Sequence, residues 1–223
     1  MCGRYALYTD PRKIAESFGL EAPVEYHVSY NIAPTQDILC ITQNAAGARL
    51  GGLYRWGLVP FWSKEIGKYS TINARGETVA TKPTYREPFK KRRCLIPANG
   101  YFEWQQRPGK PKQPYFIHPK DEGLIAFAGL WDHWKRPEGP ELKSASIIVT
   151  AANQDTKAIH DRMPVILSRV DWDAWLDIEN HETKALERLL RPAVPRSLGA
   201  DPVSTRVNSP KNQGPELLNQ ERA

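Results

Sequence analysis

The chain has 223 residues, 40% of them hydrophobic and 25% charged, enough for one large buried core and too few for a second full domain. The opening MCGRYALYTD carries no basic stretch leading into an apolar one, and no run approaches ~18 apolar residues, so a cytoplasmic protein without membrane association is expected. The net charge of +6 is uneven: residues 1–120 carry 18 Lys and Arg against 9 Asp and Glu, and residues 121–223 carry 13 against 16. A basic first half, with seven Trp in the chain, suits a polyanion whose bases can stack, although a basic surface is often only a solvated one.

In chain order, Asp10-Pro11 ahead of RKIAESFG supplies an N-cap, a proline at the first helical position, apolar Ile14 and Phe18, and Gly19 as a stop. A short helix is predicted there. DILCIT, RLGGLYRW, RRCLIP, PYFIHP, LIAFAGLW and SASIIVT are short β-branched or aromatic runs separated by Gly, Pro and polar clusters, and they read as strands. Cys40 and Cys94 fall inside two of these runs, where a free thiol behaves as a small hydrophobe, so no disulfide framework is expected. Lys90-Lys91-Arg92-Arg93, directly before CLIP, reads as a basic sheet edge rather than a nuclear address. The breaks Pro108–Pro114 and Pro137–Pro140 are short enough for surface loops. DWDAWLDI and ETKALERLL return to helical periodicity, and Trp131, Trp134, Trp172 and Trp175 are assigned to the core. The pattern predicts an α+β single domain over residues 1–218. A mixed or antiparallel β-sheet or partly closed barrel dominates it, with short peripheral helices, and residues 219–223 form a frayed tail. A monomer is expected.

There is no Gly-rich phosphate loop, no paired CxxC and no HExxH. His160-Asp161 lacks the further ligands a metal needs at defined spacing, so no metal and no cofactor is expected. Four polar or reactive islands stand instead where strands and turns meet: MCGRY at 1–5, INARGET at 72–78, GYFEW at 100–104 and IHDRMP at 159–164. Together they resemble the SRAP family, the SOS-response-associated peptidase-like proteins that crosslink abasic DNA. SYNIAPTQ at 29–36, RWGLVPFW at 55–62 and KNQG at 211–214 extend the resemblance over nearly the whole chain.

The resemblance implies catalytic roles for Cys2, Asn73, Glu103 and His160. Removal of Met1 would leave Cys2 with an amine and a thiol on adjacent carbons. Their reference pKa values of about 8 and about 8.5 need no perturbation to supply nucleophile near neutrality. The amine can attack the open-chain aldehyde of an abasic site to give an imine, which the neighbouring thiolate closes into a thiazolidine. Glu103, among Tyr101, Phe102 and Trp104, is either a carboxyl with a raised pKa that exchanges protons with the sugar or an outward carboxylate on an alternating strand. His160 is a second group for moving protons. Asn73 either orients the reactive groups without titrating or caps a helix over ARGETVA.

For binding, Arg4, Arg75 and Arg162 are candidates to grip phosphates flanking the lesion, and Trp62 and Trp104 to stack on bases. Pro34 resembles a family residue near the lesion pocket, though a rigid turn explains it equally well. The partner these calls imply is single-stranded DNA carrying abasic sites, with nucleoid association when bound and replication-fork proteins as an open partner class. The adduct would shield the lesion from strand cleavage. Three rival activities remain: a cysteine peptidase or autoprotease using Cys2 with His160 as base, a lyase that stops at the imine, and a non-catalytic reader of single strands.

Overall fold

Asp10 caps the first helix as its sequence demands, its carboxylate accepting the Arg12 N–H at 2.8 Å, and Gly19 closes it with a left-handed φ of 68°. This computed structural model describes residues 2–67, 71–121, 123–136 and 139–221. The elements run β1 (Arg4–Leu7), α1 (Pro11–Phe18), β2 (Ser29–Ile32), β3 (Asp37–Gln43), β4 (Arg49–Trp56), β5 (Asn73–Arg75), α2 (Arg86–Lys91), β6 (Arg93–Ala98), β7 (Gly100–Arg107) and β8 (Lys110–Pro119). They continue with β9 (Ile125–Trp134), β10 (Leu142–Ala151), β11 (Arg162–Pro164), α3 (Trp172–Leu176), α4 (Thr183–Glu187) and β12 (Leu198–Pro202).

Strands β10, β4, β3, β6 and β9 close on themselves, because β9 pairs back to β10. Only the β4–β10 contact in this five-stranded barrel is parallel. The three-residue strands β5 and β11 both attach to β10. A separate antiparallel sheet has the order β12-β8-β7-β1-β2. The sheet-or-barrel expectation thus resolves into both: a closed barrel and an open sheet laid on it, with few short helices.

Alternation along the open sheet decides what each face meets. Tyr5, Leu7, Tyr101 and Ile117 point into the main core, where the Tyr5 ring meets Trp56 at 5.4 Å and Phe127 at 5.8 Å, both edge-on. Ala6, Phe102 and Phe116 point the other way, and the C-terminal segment covers them with Val203 and Val207. Both faces are therefore dry. Gly100 makes the crossing of β7 and β8 possible, since a Cβ there would stand 2.5 Å from the Phe116 ring and 2.6 Å from the Ile117 carbonyl oxygen.

Several local expectations change. Arg93 of the basic run is 4% exposed, and its guanidinium donates to the carbonyls of Phe89, Lys90, Trp175, Asp177 and Asn180, tying together the ends of α2 and α3. Arg92 pairs with Asp132 at 3.2 Å, so half of KKRR is internal scaffolding, not an edge. ARGETVA forms only a single 3-10 turn, Gly76–Thr78. The break at Pro108 is a tight hairpin turn with β8 already running from Lys110. Pro137 lies outside the described residues. The tail does not fray at 219: Gln220 bridges Val203, and the Glu221 N–H donates to Pro202 O at 2.8 Å. Of the tryptophans assigned to the core, Trp134, Trp172 and Trp175 are buried and Trp131 packs partly buried against it. Among the described residues, no helix is long and apolar enough to cross a membrane.

Candidate active site

The β1–β7 register pairs Arg4 with Phe102 and Tyr5 with Tyr101. Run on past Arg4, it carries Gly3 and Cys2 toward Glu103 and Trp104. Cys2 is fully buried. Burial pushes its thiol up, and the Glu103 carboxylate pushes it further. That corrects the expectation of an unperturbed thiol: the sulfur is protonated at neutral pH and needs a base before it reacts.

Glu103 is 3% exposed, not outward. Strand alternation places it with Tyr101 on the face against the barrel, and burial raises its carboxyl above the ordinary range. His160 enters from the segment before β11, its N–H donating to Thr156 O at 3.0 Å. Its Nε2 stands 4.0 Å from Glu103 Oε2. Its Nδ1 accepts the Arg162 backbone N–H at 3.0 Å, while Asp161 Oδ1 stands 3.0 Å from the same nitrogen.

Asn73 opens β5, paired with Ile147. Its Nδ2 donates to Ile72 O at 3.1 Å, its carbonyl accepts from the Tyr85 hydroxyl at 3.1 Å, and its Oδ1 is buried without a hydrogen-bond partner among the described residues. An orphaned buried acceptor is costly and suits a site that awaits a donor. Trp56 connects Asn73 to β1: its Nε1 donates to Ile72 O at 3.0 Å and its ring meets Tyr5. No hydrogen bond among the described residues joins the Asn73 side chain to Cys2, Glu103 or His160.

The proposed phosphate grips divide. The Arg4 guanidinium is occupied by Asn31 Oδ1 at 2.9 Å, Val207 O at 2.7 Å and Asn208 O at 3.0 Å. Arg162 forms a bidentate pair with Glu77 at 2.6 and 2.7 Å and also donates to Val149 O at 3.2 Å. Only Arg75 is exposed. Trp104 lines an open cleft of about 520 Å³ with Glu103, His160, Pro111, Lys112 and Asn208, and its Nε1 donates to Asn208 Oδ1 at 2.7 Å. Pro34 and the exposed Trp62 meet in a second cleft of about 420 Å³ whose wall includes Trp56, Thr71 and Ile72.

Four contributors escaped sequence reading. Lys112 and Asn208 reach the first cleft from strand β8 and the C-terminal segment, and no local signal marks Asn208. Glu77 was visible only as a charge in INARGET. Thr35 holds a φ of 74°, a left-handed conformation costly for a β-branched residue. Two hydrogen bonds to the Trp56 backbone keep it there, Thr35 N–H to Trp56 O at 2.9 Å and Trp56 N–H to Gln36 O at 2.8 Å. Among the described residues, no three His, Cys, Asp or Glu side chains converge as metal ligands.

The family model for SOS response associated peptidase (SRAP) matches residues 1–210. The chain is 44% identical over 223 residues to abasic site processing protein YoqW of Bacillus subtilis (strain 168), covering 98% of this chain and 99% of that one. It is 40% identical over 189 residues to abasic site processing protein HMCES of Gallus gallus, covering 74% of this chain and 55% of that protein. The crystal structure of a Bacteroides thetaiotaomicron protein superposes with a TM-score of 0.88 at 29% identity, covering 99% of this chain and all 100% of that one.

Proposed function

The chain belongs to the SOS response associated peptidase (SRAP) family, and from that premise we propose that it captures abasic sites in single-stranded DNA as a covalent adduct of Cys2. One observation carries the reading. Cys2, Glu103 and His160 come from three distant islands, and Glu103 touches the chemistry of both others, raising the Cys2 thiol pKa and standing 4.0 Å from His160 Nε2. The abasic-site names of YoqW and HMCES support the same substrate.

In this mechanism Met1 is first removed. The Cys2 amine adds to the aldehyde carbon of the ring-opened sugar, and the resulting carbinolamine expels water to leave a protonated imine. Glu103, whose carboxyl burial raises above its ordinary range, donates to the departing hydroxyl and is left as a carboxylate. That carboxylate then takes the thiol proton as sulfur bonds to the imine carbon, and the π pair goes to nitrogen, which keeps the hydrogen it already carries and becomes a neutral ring amine. The product is a thiazolidine, one water lighter than protein plus DNA. Closure is intramolecular, so the sulfur acts at a high effective concentration. Asn73 orients the amine, Arg75 meets phosphate, Trp104 offers a stacking face in the first cleft, and Trp62 offers one beside Pro34 in the second. A single strand leaves the lesion open to the buried pocket.

The test is intact mass spectrometry of the protein mixed with a single-stranded oligonucleotide bearing one abasic site. The expected mass is that of des-Met1 protein plus oligonucleotide minus water, absent with Cys2→Ala and with an undamaged strand. Processed protein that forms no adduct would sink the reading. Cleavage of an added peptide instead would promote a peptidase.

A further inference from the structure

The two short strands that carry catalytic islands, β5 with Asn73 and β11 behind His160, both hang on β10 and share Val149: Val149 pairs with Arg75 on one and with Pro164 on the other. A side-chain ion pair staples them. Glu77, two residues past β5, grips the Arg162 fork with both carboxylate oxygens at 2.6 and 2.7 Å, and Arg162 Nη2 also donates to Val149 O at 3.2 Å. Bidentate carboxylate–guanidinium pairs fix orientation as well as distance.

Arg162 is also the residue whose backbone N–H sets the His160 ring. When Nδ1 accepts that N–H, the neutral ring must carry its proton on Nε2, the nitrogen 4.0 Å from Glu103. The competing arrangement is present in the same turn. Asp161 Oδ1, on a side chain 86% exposed, stands 3.0 Å from Nδ1 and would hold a proton there, leaving Nε2 bare toward Glu103. Nδ1 cannot serve both neighbours at once.

Building on the abasic-site reading, we propose that Glu77 is a positioning residue of this site: by clamping Arg162 it keeps the Arg162 N–H on His160 Nδ1 and so selects the Nε2–H tautomer. The clamp acts through Arg162. It also occupies the Arg162 fork, which leaves exposed Arg75 as the nearby phosphate contact.

The experiment compares wild-type protein with Glu77→Gln and Glu77→Asp in two measurements. The first is the imidazole nitrogen spectrum of 15N-labelled protein near pH 8, with His160 assigned from His160→Gln. Wild type is expected to show a protonated Nε2 and a bare Nδ1, Glu77→Gln to gain the Nδ1–H form, and Glu77→Asp to recover the wild-type pattern in part. The second is the rate of adduct formation against concentration of the abasic oligonucleotide. Glu77→Gln is expected to lose roughly tenfold in the saturating rate, with less than a twofold change in half-saturating concentration.

An unchanged His160 spectrum in Glu77→Gln overturns the proposal. So does tighter oligonucleotide binding at an unchanged saturating rate, which would make Glu77 a screen over Arg162. The spectrum does not depend on activity, so absence of any adduct with wild type would strike the proposed function and leave the tautomer assignment standing or falling by itself.

Discussion

The barrel interior and the seam beneath the five-stranded sheet are equally dry, yet burial does different things in each. Cys40 on β3 and Cys2 ahead of β1 are both fully buried thiols, and burial is the main force holding each protonated. The next influence on Cys40 is another thiol, Cys94, whereas on Cys2 it is the Glu103 carboxylate. Desolvation alone makes a thiol inert. Desolvation beside a carboxyl that itself stands 4.0 Å from a histidine is the setting that the proposed proton transfer requires.

Replacing sulfur by oxygen in each place tests the contrast most severely. Cys2→Ser keeps the amine and is expected to abolish the stable adduct completely in intact mass spectra. Borohydride should still trap an imine. Survival of an adduct that resists hydrolysis without reductant would break the comparison.

Glu103→Gln comes next, with capture slowed about 10²–10⁴-fold, the range for a lost general acid or base. Its effect on stability should run the other way. The folded carboxyl binds its proton more tightly than the unfolded one, whose pKa is about 4.3. Wild-type stability therefore falls as pH climbs from about 4 through the raised folded value and levels off above it. Glu103→Gln escapes that loss, so its advantage should be absent near pH 4 and complete above the folded pKa. Urea midpoints across that range read it directly, and an advantage that shrinks with rising pH would mean the carboxylate is net stabilised in the seam.

Cys40→Ser puts an unpaired hydroxyl into the barrel and should cost about 1–3 kcal/mol in urea denaturation, with capture per folded molecule unchanged. Smallest is Thr35→Asn, at the corner between barrel and second cleft. Asn tolerates the left-handed conformation, and relief of part of a ~1–2 kcal/mol strain should raise stability by about 0.5–1 kcal/mol. A capture rate that falls as stability rises would assign the strain to the site, not to the barrel.

What could be read from the sequence follows from how local each cause is. The first helix was legible because Asp10, Pro11 and Gly19 act within their own turn. The alternation of Tyr101, Phe102, Glu103 and Trp104 was legible as a strand, but not which way the carboxylate faces, because alternation predicts exposure only when one face is open. Here Val203 and Val207 close the second face from a hundred residues away. Arg4 and Arg162 announced their charge and nothing of their occupation, since Asn31, the Val207 carbonyl and Glu77 meet them only in the folded chain. Cys2 was legible by its neighbours in MCGRY, whereas its burial belongs to β7. The three-residue strands β5 and β11 are too short for any period to appear, and β10 alone gives them a partner.

The Arg4 latch has a consequence in time. Its acceptors on Val207 and Asn208 lie 203 and 204 positions further along the chain, and the β7 partner of β1 lies about a hundred residues downstream. At roughly 5–20 residues per second of synthesis, the beginning of the protein is out in solution well before either exists. On the proposed mechanism, removal of Met1 has that interval in which the second residue still lacks its β7 neighbours. Once β7 pairs with β1 the second residue is fully buried, so on the proposed mechanism a chain cut short before β7 would carry Cys2 without Glu103 beside it.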